Sequence, residues 1–225
     1  MNATPLKASD VSARHDACLA RADWPQSDQA VREAGAEHEV GFWFVTNHRF
    51  NSQLWAEEDL ARRTQVSAEE IAKNKRAIDG FNQARNDATE RVDELLLTAL
   101  GLVDPASARS DAPVSTVKPG ARLNSETAGS IIDRMSIMAL KIHAMTAQTL
   151  RQDVDEAHRS ASRVKLERLQ QQRGDLGSCL DQLLADSLAG KAYFKVYRQF
   201  KMYNDARFNP ALVAERAAVQ VGANN

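Results

Sequence analysis

The sequence predicts an all-α protein, an up-and-down bundle of about five or six helices. Three observations carry that expectation. Apolar residues recur at three- and four-residue spacing through most of the 225 residues, and runs with the two-residue period of strands are scarce. Only 10 glycines and 6 prolines interrupt the chain. The periodic segments are long and mostly joined by short links, which suits antiparallel neighbours in a bundle.

The elements follow in order. A short helix begins after Ser9 or Asp10, either of which can cap it. A long helix spans about 37–63. The next runs from Ser67, with Glu70 as capping-box partner, to Leu100, where Gly101 ends it. Residues 102–124, with Pro105, Pro113 and Pro119 among small residues, read as a long structureless connection of the kind that forms lids or stays disordered. A central helix opening on Glu126-Thr127-Ala128-Gly129 starts near Ser125 and ends near Leu150. The last long helix covers about 153–188 and stops at Gly190. Its Leu166, Leu169, Leu176, Leu180 and Leu183 form a heptad-like seam, interrupted by Arg173, that needs a partner helix. The final 15 or so residues look frayed. Everything fits one domain, residues 1–225.

Composition narrows the function. Hydrophobic residues are 43% and charged residues 26%, with a net charge of −1, so the chain is globular and is no polycation; nucleic acid is a poor partner. Two cysteines, Cys18 and Cys179, do not make a disulfide framework and fit a reducing compartment. The N-terminus has no apolar signal-like core, and no apolar run reaches the roughly 20 residues that span a bilayer. These observations together give the expectation of a soluble cytoplasmic protein with no membrane span.

The chemistry lies in polar stripes. In KRAIDGFNQARNDATERVDE the line Lys75, Asp79, Asn82, Asn86, Glu90, Asp93 borders the apolar face, and Arg85 sits on that face, where it needs a partner. In NHRFNSQLWAEEDLAR, Asn47, Asn51, Trp55, Glu58 and Arg62 share a side. In SETAGSIIDRMSIMALKIH, Glu126, Ser130, Asp133, Arg134 and Lys141 flank the apolar positions, with Asp133 in line with Ile137 and Leu140. One such stripe reads as a solvated helix flank with weak ion pairs. Three, rich in asparagine, a mediocre helix former, point to a polar network inside or beside the bundle. A fourth element, GKAYFKVYRQFKMYNDARFNP, interleaves Tyr193, Tyr197, Phe200 and Tyr203 with Lys191, Lys195, Arg198 and Lys201. It reads either as a helix docking its aromatics in the core or as a phosphate- and ring-binding surface.

NSQLWAEEDLAR, KRAIDGFNQARND, SETAGSIIDRMSIMALKI and YRQFKMYNDARFNP, in that order over roughly 45–212, resemble the bacterial family called domain of unknown function 4254. Two departures are mild: Ala128 stands where the family has proline, and Met135-Ser136-Ile137-Met138 replaces Leu-Ser-Ile-Leu. The resemblance brings no established reaction. It implies a role near glycan chemistry, because such proteins are often encoded beside glycosyltransferases of surface-polysaccharide and lipopolysaccharide assembly.

Three functions fit. The first is a site for a phosphorylated or sugar-bearing small molecule. Lys75, Arg85, Arg134, Lys141 and Lys201 would neutralise phosphate. Asp79, Asn82, Asn86, Glu126, Tyr203, Asn204 and Asp205 would bind hydroxyls or orient the cations. Asp133 would be the general base, since a carboxylate on an apolar line can have a raised pKa. The second is a non-enzymatic partner of glycosyltransferases, with the stripes fixing helix register; a homodimer could complete the bundle. The third is a Mg²⁺-dependent all-α nucleotide pyrophosphohydrolase using Glu58, Glu90 and Asp93, in which Mg²⁺ would be the cofactor. Its first acidic run is incomplete, since Ala61 stands where a third acid is required. P-loop, GxGxxG, GxSxG, zinc and di-iron patterns are absent from the sequence.

Overall fold

In a computed structural model the chain is all-α, and the description covers residues 6–35, 38–199, 202 and 205–223, with side chains as far as 218. Seven helices are present among these residues: α1 (Ala8–Leu19), α2 (Asp28–Gly35), α3 (Glu39–Ala61), α4 (Ala68–Ala99), α5 (Ala128–Thr149), α6 (Glu156–Leu188) and α7 (Pro210–Ala223). The count exceeds the expected five or six because α2 is only eight residues long and α7 forms where a frayed end was expected. The helices α3 to α6 make the up-down-up-down bundle, with α3 packed on α4 and α5 on α6. Paired side chains give the directions. Asn47 meets Thr89 and Glu57 meets Asn74, so α3 and α4 are antiparallel. Asn47 meets Asp133 and Asn51 meets Ser136, so α3 and α5 are parallel.

Local chemistry sets the ends. Ser67 caps α4: its hydroxyl accepts from the Glu70 N–H at 3.2 Å, and the Glu70 carboxylate accepts from the Ser67 N–H at 3.4 Å, a complete capping box. Thr127, rather than Ser125, caps α5, and Asp155 caps α6, two residues later than expected. Gly101 and Gly190 follow α4 and α6 with φ of 67° and 70°, a conformation that costs glycine nothing.

The core is apolar where the helices meet. Val11, Phe44, Val45, Val92, Ile131, Ile132, Met135 and Leu180 are buried, each contributing about 1.5–3 kcal/mol for a large side chain. On α6 the leucine seam is buried only in its second half. Leu176, Leu180 and Leu183 are covered, whereas Leu166 and Leu169 are half-exposed.

Two expectations need correction. Residues 102–124 are an ordered connection. Val103 bridges Ser115, and Leu102, Val103 and Ala108 are buried. Its strand β1 (Arg122–Leu123) pairs in parallel with β2 (Ala192–Tyr193). The stretch after α6 is extended rather than helical through residue 199, and it docks Phe194 and Val196 in the core while Tyr197 stays exposed. Arg198 fastens it. The guanidinium donates to Glu90 at 3.0 Å, Glu94 at 2.6 Å and the Ala108 carbonyl at 3.1 Å, so one side chain ties the tail, α4 and the long connection together.

Candidate functional site

The stripes of α3, α4 and α5 meet. Asp133 Oδ1 accepts from Asn47 Nδ2 at 2.8 Å and Asn51 Nδ2 at 2.9 Å. Asn47 also donates to Thr89 Oγ1, and Asn51 to Ser136 Oγ at 3.0 Å and to Asn47 Oδ1. Asp133 Oδ2 faces Arg85 Nη1 at 3.7 Å, which supplies the partner that an arginine on the apolar side of α4 requires. Arg85 donates in turn to Asn86 Oδ1 at 3.1 Å. The cluster grades from inside to outside: Asn47 and Asn51 are 1% and 4% exposed, whereas the Asp133 and Arg85 side chains are 15% and 24% exposed.

Behind the asparagines lies a buried aromatic stack. His48 Nδ1 is 2.7 Å from Ser136 Oγ, its ring lies 4.4 Å from that of His15, and Trp24 stacks on it with ring centroids 5.3 Å apart. Neither ring nitrogen of His15 has a hydrogen-bond partner among the described residues. Burial drives both histidines to the neutral form. His48 is lowered to about 3, with His15's backbone pulling the other way. His15 is lowered well below its usual value by burial and then by the charges of His48 and Arg173.

Asp93 is the third buried feature. It accepts the Gly129 N–H at 2.7 Å, holding the start of α5 against α4. Burial raises it to about 7, although the bonds from Thr127 and Gly129 oppose that shift. Gly129 is required there, since a Cβ would stand 2.6 Å from the Thr89 carbonyl oxygen and 2.9 Å from the Asp93 carboxylate.

Other residues singled out from the sequence lie apart. Lys75 and Asp79 pair with each other on the exposed side of α4. Asn82 is half-buried. Glu126 pairs with Arg134 at 2.6 Å, and Asp205 with Arg207 at 2.7 Å. Lys201, Tyr203 and Asn204 lie outside the described residues. Glu58 pairs with Arg62, and its neighbour Glu57 meets Asn74, which is 16 residues, or roughly 24 Å of helix, from Glu90. Glu90 is held by Arg198 and Asp93 by Gly129, so the three carboxylates do not converge; among the described residues no three His, Cys, Asp or Glu side chains are grouped to hold a metal.

Lys141 lines a different feature. A cleft of about 410 Å³ opens between α3, α5 and α6, walled by Trp55, Lys141, Met145, Lys165, Arg168 and Leu169. The sequence offered no signal for Lys165 and Arg168. They sit on the exposed side of an amphipathic helix, and only the packing of α6 on α5 brings them to Trp55.

The family model described as Protein of unknown function (DUF4254) matches residues 42–196. The chain belongs to that family. The match begins in α3 and ends at Val196, so it spans the polar cluster and the cleft and stops before the YRQFKMYNDARFNP block. No curated protein and no solved structure matches the chain. No described helix is long and apolar enough to cross a membrane.

Proposed function

We propose that this member of the family binds a small phosphorylated, hydroxyl-bearing molecule, a sugar phosphate or nucleotide sugar, where Arg85 and Asp133 reach the surface of the bundle, and that it serves surface-glycan assembly. The observation that carries this reading is the state of Arg85. A guanidinium has five N–H donors. Among the described residues Arg85 makes one hydrogen bond, from Nη2 to Asn86, and Asp133 stands 3.7 Å from Nη1, so the Nη groups keep donors over while Nε is buried. An arginine with spare donors, braced by a carboxylate that two buried amides hold still, suits a phosphate. Asp133 Oδ2 faces Arg85 and accepts no hydrogen bond from a described residue, so it can accept one from a sugar hydroxyl beside the guanidinium.

A second reading has its own support. Asn47, Asn51, His48 and Ser136 lie too deep for a ligand to reach and bond among themselves, as a network that fixes helix register would. In that case the chain is a non-enzymatic partner of glycan-assembly enzymes, and Arg85 only closes the network.

The test is calorimetric titration of the protein with glucose 1-phosphate and UDP-glucose, repeated on Arg85→Gln and Asp133→Asn. Saturable binding by the parent that both variants lose, with each variant still folding cooperatively, supports the site. Binding that survives Arg85→Gln puts the ligand elsewhere on the chain and overturns this site, and no binding to any probe moves the weight to the partner-protein reading.

A further inference from the structure

The cleft between α3, α5 and α6 has a composition unlike the rest of the surface. Three of its walls are cationic: Lys141 on α5 and Lys165 and Arg168 on α6. No aspartate or glutamate lines it, and none of the three cations makes an ion pair with a described residue. Elsewhere on this chain of net charge −1 several exposed arginines have carboxylates at hand, as in Arg62–Glu58, Arg134–Glu126 and Arg151–Asp153, and those that do not, such as Arg32 and Arg76, are not gathered around one opening with a tryptophan. The remaining lining is apolar apart from Gln148 and Gln172. Trp55 is 36% exposed and its indole N–H has no described partner, and Met145 and Leu169 stand with it. A volume of about 410 Å³ falls within the roughly 300–1,000 Å³ of small-molecule sites.

We propose that this cleft binds a nucleoside diphosphate, with the base stacked on Trp55 and the two phosphates between Lys141, Lys165 and Arg168. Three unneutralised cations around one opening call for a ligand with more than one negative charge. The indole and the thioether call for a flat, weakly polar ring, and base stacking on an aromatic side chain contributes about 1–3 kcal/mol. An inorganic anion would use the cations and leave Trp55 idle, and an uncharged ring would do the reverse. The proposal rests on the reading of the chain as a binder of phosphorylated molecules and gives that ligand a chemical class. It names residues separate from the Arg85–Asp133 pair.

The experiment is equilibrium titration of the intact protein with UDP, pyrophosphate and uridine, followed by calorimetry and by tryptophan fluorescence, since Trp55 is the exposed indole. UDP is expected to bind at least tenfold more tightly than either pyrophosphate or uridine and to quench fluorescence saturably. Arg168→Ala and Lys165→Ala should each weaken UDP and pyrophosphate about tenfold. Trp55→Leu should abolish the quenching and leave UDP no better than pyrophosphate. All three side chains are exposed, so unchanged melting will separate lost binding from lost fold. Equal UDP affinity in the parent and in Trp55→Leu and Arg168→Ala overturns the cleft assignment, as does the absence of saturable UDP binding. If Arg85→Gln abolishes UDP binding while the cleft variants keep it, the cleft fails and the Arg85–Asp133 reading stands. If the cleft variants lose UDP while Arg85→Gln keeps it, the Arg85–Asp133 site fails and the cleft stands.

Discussion

Two regions of this bundle use polar residues in opposite ways. In the centre, Asn47, Asn51, Ser136 and Asp133 donate to and accept from one another across α3 and α5, and the charge that remains is met by Arg85. At the end of the bundle, Lys141, Lys165 and Arg168 surround Trp55 with no carboxylate in the wall. The first arrangement is closed in its interior: low local dielectric makes an unmet donor costly, so the amides of Asn47 and Asn51, Ser136 and Asp133 Oδ1 are paired within the chain, and Arg85 at the edge is where donors are left over. The second is open to water, where three unpaired cations cost the fold little and remain available to an incoming anion. Polarity alone therefore does not mark a site; what distinguishes the two regions is whether the chain supplies its own partners.

Breaking the closed region should have the largest effect. Gly129→Ala forces a Cβ to 2.6 Å from the Thr89 carbonyl, between two helices that cannot both give way. A loss of about 3 kcal/mol is expected, measured as a fall in the urea midpoint with unchanged m-value. Asn51→Ala removes the donor shared by Asp133, Asn47 and Ser136 and should cost about 2 kcal/mol in the same measurement. A result near zero would mean that water replaces the amide and the region is not closed.

The pH dependence sharpens the contrast further. His15 and His48 have folded-state values below the unfolded one near 6.5, so the unfolded chain binds more protons in acid and stability rises with pH up to about 6.5. Asp93 is raised to about 7, so it works in the opposite sense, losing stability from its unfolded value of 3.8 upward. Two histidines against one carboxylate leave a net rise in stability from about pH 4 to 6.5, which levels off near pH 7 as the unfolded histidines and the folded Asp93 lose their protons together. Melting in urea across that range should show stability rising and then levelling near pH 7. Asp93→Asn, which keeps an acceptor for the Gly129 N–H, should steepen the rise; an unchanged profile would mean that Asp93 is not the opposing group. The smallest effect belongs to the open region, where Lys165→Ala should change stability by less than about 0.5 kcal/mol.

The sequence was legible wherever a signal is local. Ser67 with Glu70 and the glycines at 101 and 190 mark helix ends by their own chemistry, and the structure keeps them. The demand of Arg85 for a partner was equally visible, because a cation on an apolar face is costly whatever surrounds it. Residues 102–124 and 191–199 were misjudged for the opposite reason. Their order comes from each other, through β1 with β2 and through Arg198 on the Ala108 and Ser110 carbonyls, and such pairings between distant segments leave no periodic trace.

By itself, then, the sequence determined an all-α bundle, its principal helix ends and the existence of polar stripes, since propensity, capping and periodicity act over a few residues. Only the tertiary structure decided which stripes meet. Asp133 comes to Asn47 and Asn51 because α3 and α5 run parallel, and the Glu58, Glu90 and Asp93 carboxylates stay apart because an antiparallel α4 carries the latter two toward the opposite end of α3. Whether a charge finds a partner depends on distances of a few ångströms between helices far apart in the chain, and those distances are fixed by packing.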